Sequence, residues 1–423
     1  ELVPNQQSFG HLHHWLKHER YRHLAEVPEG IVHPFLGAGV TKPEPFSLCP
    51  TDPRSLEFLG ALYDELLPCF TSGDFNVGLD ETIDLGPGRS AAAIRERGVG
   101  RVYLEFLKSV HGLVSARGKR MQFWADILLN HAELVSEVPK DAVAMLWGYE
   151  ADHPFEEQTQ TLAEAGLPFY VCPGTSSWQS IGGRLDNMLA NVRSAAHWGA
   201  QRGARGLLVT DWGDRGHLQP SFVSQPGFLT AAALAWSPED RRFDSLGDPQ
   251  SFIAMQGIPS PRAELQALEL GQVSGALAMP LRNASPLSVL LTRFDAPFPP
   301  AELAALTPDA LARTSEKLTL GLLGRDPRRS LGANSRFLGT EEREVHWATQ
   351  LMRFACALGR ARLEAGDGRA LERLHAHHRA RLADDLEPLI AAHRRLWLER
   401  SRPGGLDRSA RWLERILEAL RAT

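Results

Sequence analysis

The 423-residue chain contains no run of about 18 apolar residues, so nothing in it reads as a membrane-spanning helix. It has only four cysteines, Cys49, Cys69, Cys172 and Cys356, scattered and without a C-x-x-C spacing. They read as free thiols of a reducing compartment, with a single bridge left open, and the expected localisation is cytoplasmic. An excess of basic charge is also missing: the formal net charge is −5, which gives nucleic acid no electrostatic foothold. There is no initiating methionine and no signal peptide. The chain opens "ELVPNQQSFGH" inside what reads as a strand, so residues upstream of Glu1 are expected. There is no internal repeat, no low-complexity tract, no H-E-x-x-H, no P-loop lysine and no G-x-S-x-G elbow.

What remains is ordinary for a soluble globular enzyme, 43% apolar and 23% charged, and long enough for one large domain plus a second. Short apolar runs alternate with amphipathic segments up to about residue 236. The runs are Leu2–Pro4, Phe75–Leu79, Met121–Ile127, Ala142–Trp147, Pro168–Cys172 and Gly206–Asp211. Between them, "DPRSLEFLGALYDELLPCF" and "SAAAIRERGVGRVYLEFLKSVHGLV" have helical spacing. Strand–helix alternation implies a parallel sheet with helices outside it. Each run ends in polar, aromatic or glycine residues, as strands do on the active face of a (β/α)8 barrel. Six strands are visible, so an open sheet is one reading and a barrel whose first two units lie upstream of Glu1 the preferred one. On that reading residues 1–240 form the barrel. A polar, turn-rich passage, "WSPEDRRFDSLGDPQS", then leads into a mainly α-helical domain over 241–423. In "LERLHAHHRARLADDLEPLIAAHRRLWLERSRPGGL" Pro388 should kink or split the helix, and Pro403-Gly404-Gly405 should end it.

The run at 75–79 stops at two adjacent acids, Asp80 and Glu81, with a glycine-rich loop behind them. Cleaving a glycosidic bond needs a proton donor for the leaving oxygen and a stabiliser of the developing cation, and paired carboxylates separate each other's pKa values. Neighbours in a strand face opposite ways unless the strand is ending, so a solvated turn stays open as the alternative. Trp124, Trp147, Tyr149, Trp178, Trp212 and Trp236 fall at or near strand ends, where an aromatic wall would suit the apolar face of a sugar; core packing is the competing reading for each. "DLGPGRS" could cradle an anion with Arg89, but lacks the P-loop pattern and reads better as a turn into Ser90 as N-cap. His14 and His18 stand at i, i+4, a zinc-binding spacing, with a solvated helix face preferred. Neither a metal nor a cofactor is called for.

"NVGLDE" resembles the His-x-Gly-Gly-Asp-Glu signature of glycoside hydrolase family 20, the β-N-acetylhexosaminidases. "LVPNQQSFGH" is similar to that family's third barrel strand with its Gly-His pair, here Gly10-His11, and "MQFWADIL" and "TDWGD" to its later strands. Asn76 stands for the signature histidine and Leu79 for its second glycine. The C-terminal region, "RSRPGGL" included, resembles that of some smaller bacterial members. The resemblance implies a retaining, exo-acting enzyme that releases terminal β-linked N-acetylhexosamine, the substrate's own acetamido oxygen attacking to give an oxazolinium. It implies Glu81 as general acid and base, Asp80 as the residue orienting the acetamido group, and Tyr149 holding its oxygen. Trp212 would wall the pocket, Asp214 reach outer hydroxyls, and His11, Trp124, Asp126, Trp147 and Trp178 bind substrate. The expected partner is an oligosaccharide or small molecule with a terminal amino sugar; a homodimer is compatible with it. Two alternatives stay open: a glycosidase whose nucleophile is a protein carboxylate such as Asp214, and a carbohydrate-binding barrel without turnover.

Overall fold

In the computed structural model, residues 1–36, 38–239, 268–322, 339–366, 371 and 374–422 are described. The turn-rich passage over 240–251, where the domain boundary was expected, lies outside them. Five parallel strands form one sheet in sequence order: β1 (Asp74–Asn76), β2 (Arg120–Trp124), β3 (Val143–Trp147), β4 (Phe169–Cys172) and β5 (Gly206–Leu207). The central residues of β2, β3 and β4 are buried, as a parallel sheet covered on both faces requires. The first expected run is not a strand but adds a parallel bridge, Asn5 to Asn76, beyond β1, with Asn76 N–H donating to Pro4 C=O at 3.0 Å. The last is also shorter than expected: β5 stops at Leu207, Leu208 N–H still donates to Val171 C=O at 3.0 Å, and the next bridge is Gly174–Thr210.

Helices outside the sheet follow the apolar spacing. Val99–Ser115, between β1 and β2, buries Val102, Tyr103, Phe106, Leu107, Val110 and Val114 on one face. The segment read as one helix over 90–114 is two, because Gly98 adopts φ +84 and breaks Ala91–Arg97 from Val99–Ser115. Pro53–Leu66 starts where Asp52 accepts a hydrogen bond from Arg54 N–H, with proline in its first turn.

The C-terminal part is helical among its described residues, with long helices Thr340–Glu364, Ala376–Arg400 and Leu406–Arg421. Pro388 does not split the second. The carbonyl deprived of its donor, that of Asp384, belongs to an exposed residue that water can serve. The helix stops before Pro403-Gly404-Gly405, and Gly405 at φ +86 starts the next one. This block shares its core with the sheet half: Ile181, Leu218, Phe222 and Val223 pack with Leu351, Phe354, Leu386 and Leu413. The helices are therefore docked onto loops that follow β4 and β5.

Close approach at the strand ends is tight. A Cβ added to Gly174 would lie 2.3 Å from the Trp178 ring and 3.0 Å from that of Tyr149. Gly174→Ala should destabilise the fold by roughly 1–3 kcal/mol through overpacking. Denaturant unfolding followed by tryptophan fluorescence checks this, and an unchanged midpoint with an unchanged native spectrum would contradict it.

Candidate active site

Every strand end contributes to one cavity of about 1010 Å³: Gln7 beyond the first bridge, Asp80 and Glu81 after β1, Trp124 at the end of β2, Trp147 and Tyr149 at β3, Trp178 after β4, and Asp214 after β5. His11 lines it too. Nine of the ten residues expected from the sequence are thus brought together.

The turn after β1 explains how adjacent acids can act together. Gly78, Leu79 and Glu81 adopt φ of +71, +73 and +48, so the strand's alternation has ended. Asn76 stands at the head of this turn: its Oδ1 accepts hydrogen bonds from Gly78 N–H at 2.9 Å and Asn5 Nδ2 at 2.8 Å. A left-handed leucine costs about 1–2 kcal/mol, which is why glycine suits such a position. Here the Leu79 side chain is fully buried in the sheet core and Tyr103 Oη donates to its carbonyl at 3.0 Å, offsetting that strain. Gly10 lets the first segment reach the turn, since a Cβ there would meet Asp80 C=O at 2.6 Å. This close approach accounts for the Gly10-His11 pair.

His11 Nε2 then lies 3.3 Å from Asp80 Oδ2 and 3.1 Å from Glu81 Oε2. Burial on its own would depress the imidazole pKa, but the contacts with Asp80 and Glu81 outweigh it and raise it to about 9. At neutral pH an imidazolium sits between the two acid side chains. The donor atoms of His11, Asp80 and Glu81 lie within 4.8 Å of one another, close enough for a metal, which would have to displace the imidazolium proton to bind. Asp80 Oδ1 is buried and has no hydrogen-bond partner among the described residues, nor has Trp178 Nε1.

Asp126 is the exception among the expected residues, because it does not line the cavity. Its Oδ2 accepts from Glu81 N–H at 3.1 Å and its Oδ1 from Trp147 Nε1 at 3.3 Å, so it holds the turn and one wall from behind. Burial, then the Asp80 charge, push its pKa up to about 7.

The aromatic wall is continuous. Tyr149 stacks on Trp147 with centroids 4.9 Å apart, meets Trp178 edge-on at 4.9 Å, and accepts a hydrogen bond from Trp212 Nε1 at 2.9 Å. Trp124 contacts Trp212 edge-on at 6.2 Å. Burial raises the Tyr149 phenol well above its ordinary pKa, so it stays neutral. Trp236 is no part of this wall: it ends the helix Gln225–Trp236 and is 90% exposed. Asp214 accepts from Gln179 Nε2 at 3.3 Å, and burial raises its pKa.

The other candidate motifs have structural duties. Ser90 N–H and Oγ–H donate to the Glu26 carboxylate and Arg89 pairs with Asp52 at 2.5 Å, so "DLGPGRS" is a tied turn. Ser90 makes no side-chain cap to its helix. His14 belongs to the short helix His13–Leu16 while His18 caps the next one, Glu19–Arg22, so the two share no continuous helical face. Sequence reasoning missed Gln7, Gln179, Arg215, Trp397, Arg408 and Trp412 among the lining residues. Only the unexplained aromatic and basic residues of the last helices hinted at these.

Paired acids within an aromatic enclosure at the ends of parallel strands are the equipment of a glycoside hydrolase. Residues 3–187 match the glycosyl hydrolase family 20 catalytic domain. It is similar to hexosaminidase D of Homo sapiens, 29% identical over 36% of this chain and 30% of that protein. Hexosaminidase D of Bos taurus is 28% identical over 50% of this chain and 63% of its own length, so the match spans less than two thirds of either relative. A β-N-acetylhexosaminidase structure from Bacteroides fragilis aligns at 16% identity over 60% of this chain and 53% of that one, with a TM-score of 0.44.

A raised histidine pKa has a signed consequence. Protonated His11 contributes stability that is complete below its ordinary value of 6.5 and is lost as pH rises through about 9. The Tm advantage of the wild type over His11→Gln should therefore shrink across that window. A gap that stays constant from pH 6.5 to pH 9 would contradict the ion pairs.

Proposed function

We propose that the chain is an exo-acting β-N-acetylhexosaminidase working by substrate-assisted retention, on a (β/α)8-type barrel. The observation that carries this is the turned acid pair: Asp80 and Glu81 both reach His11, while Asp80 keeps one buried oxygen without a partner. The parallel sheet running in sequence order, with no reversal, supports the barrel. The names of the human and bovine relatives, hexosaminidase D, support the substrate class.

In this reading the terminal sugar sits against the tryptophan wall. The free Asp80 oxygen accepts the acetamido N–H, which holds the amide so that its carbonyl oxygen attacks C1. Glu81 gives its proton to the glycosidic oxygen as the C1–O bond breaks, and the leaving group departs as an alcohol. The oxazolinium carries a positive charge, stabilised by the Asp80 carboxylate. Glu81, now a carboxylate, takes a proton from water, which attacks C1 and reopens the ring with net retention. The neutral Tyr149 phenol, beside Trp212, is the group suited to the acetamide oxygen. Asp126 holds the Glu81 backbone and is a positioning residue. The raised pKa of Asp214 disfavours the ionised form that a protein nucleophile needs, which favours the acetamido route over the Asp214 alternative.

Chromogenic β-N-acetylglucosaminide and N-acetylgalactosaminide should be cleaved, and the plain glucoside and galactoside should not. Glu81→Gln should lower turnover on a poor leaving group by about two to four orders of magnitude, and less on a very good one. Near-wild-type turnover on the poor leaving group would remove Glu81 from the role.

A further inference from the structure

We infer that the outer half of the cavity is a subsite for an anionic leaving group: a carboxylate, sulfate ester or phosphate on the sugar beyond the cleaved bond. The inference rests on the glycosidase reading of the floor. If the terminal sugar fills the floor, whatever is attached to it must lie against the opposite wall, built by the last helices.

That wall presents Trp397, Trp412 and Arg408, and facing them is Lys17, at the end of the short helix His13–Leu16. Segments almost the whole chain apart thus bring cations to one mouth. Both act on the ring of His14: burial lowers its pKa first, Lys17 and Arg408 lower it further, and Glu44 alone opposes them. The two charges therefore share one region of space.

Neither cation is paired with an acid among the described residues. Three other arginines of the last helix have acid partners: Arg411 pairs with Glu418, Arg415 with Asp295 and Arg421 with Glu387. Arg408, which faces the cavity, has no ion pair among the described residues, and the Lys17 ammonium meets only His14 Nδ1, at 3.4 Å. Lining acids besides Glu44 are Asp80, Glu81 and Asp214, all on the floor. Arg215 adds charge between floor and mouth: its guanidinium lies 5.8 Å from the centre of the Trp412 ring and its Nε donates to Gln179. A sugar stacked on Trp412 would carry its substituents between Lys17 and Arg408, where an acidic one gains two partners.

The test uses three substrates with the same terminal N-acetylhexosamine, linked to a neutral hexose, a hexuronic acid or a sulfated hexose. The readout is kcat/KM for each anionic substrate relative to the neutral one. Exposed ion pairs support a preference of about 3- to 10-fold, and one that fades as salt is raised to about 0.5 M. Lys17→Met with Arg408→Met should bring the ratio to about one. Arg421→Gln removes a charge from the same helix away from the cavity and should leave the ratio as it is. Which anion is favoured, carboxylate or sulfate, identifies the leaving group's chemistry. A wild-type ratio near one, or a ratio that survives the double substitution, would overturn the inference while the glycosidase reading stands. Failure to cleave even an aryl N-acetylhexosaminide would instead sink that reading, and this one with it.

Discussion

The contact on which the site depends is the ion pair of one imidazole with two adjacent carboxylates. Asp80 and Glu81 can be neighbours in sequence and in space only because the backbone leaves the strand at once, through left-handed Gly78, Leu79 and Glu81. That turn brings two acids together, and His11, itself at φ +59, supplies the basic group between them. Strain of this kind persists when the surroundings over-determine it. Here the surroundings are specific: Asn76 and Tyr103 hold the turn, Asp126 holds the Glu81 amide, and Gly10 gives His11 its approach. Remove the imidazolium and the two acids would lose their shared basic partner, beside a buried Asp126 whose pKa is already raised by burial and then by the Asp80 charge.

The sequence made much of this legible, for physical reasons. Buried parallel strands must be apolar, so four of the six expected runs appear as β1 to β4 within a few residues. Asp80 and Glu81 stood out because charge at the end of an apolar run is expensive without a purpose. Other features were not readable. The run at the N-terminus forms a bridge and not a strand, and β5 has two residues, because both lie at the margins of the described sheet where pairing is incomplete. Asp126 read as a substrate ligand since it follows Trp124 at a strand end, yet the helix it starts, Asp126–Leu129, turns it behind Glu81. Trp236 was drawn into the wall by its expected place near a strand end, whereas it lies at a helix end facing solvent. The acids' basic partner was invisible locally, because it is supplied from a segment some seventy residues earlier in the sequence.

The least legible part was the role of the C-terminal helices. Their apolar faces announced a packed block but not where it docks. The shared core with Ile181, Leu218, Phe222 and Val223 seats it over the loops after β4 and β5, which turns the last helix's first turn toward the cavity. Gly216 records how close the approach is, for a Cβ there would lie 2.4 Å from the Trp412 ring. A block that looks like an appendage in sequence is thereby a wall of the site.

In the proposed mechanism the turned pair serves the substrate's own acetamido group, with Asp80 supporting the cyclic cation. A thiazoline analogue of that intermediate tests it most directly. The analogue should inhibit the wild type and bind Asp80→Asn more weakly by on the order of 10²-fold, with little change in folding. Equal inhibition of both forms, or a covalent glycosyl-enzyme trapped on Asp214 with a 2-fluoro sugar, would contradict it.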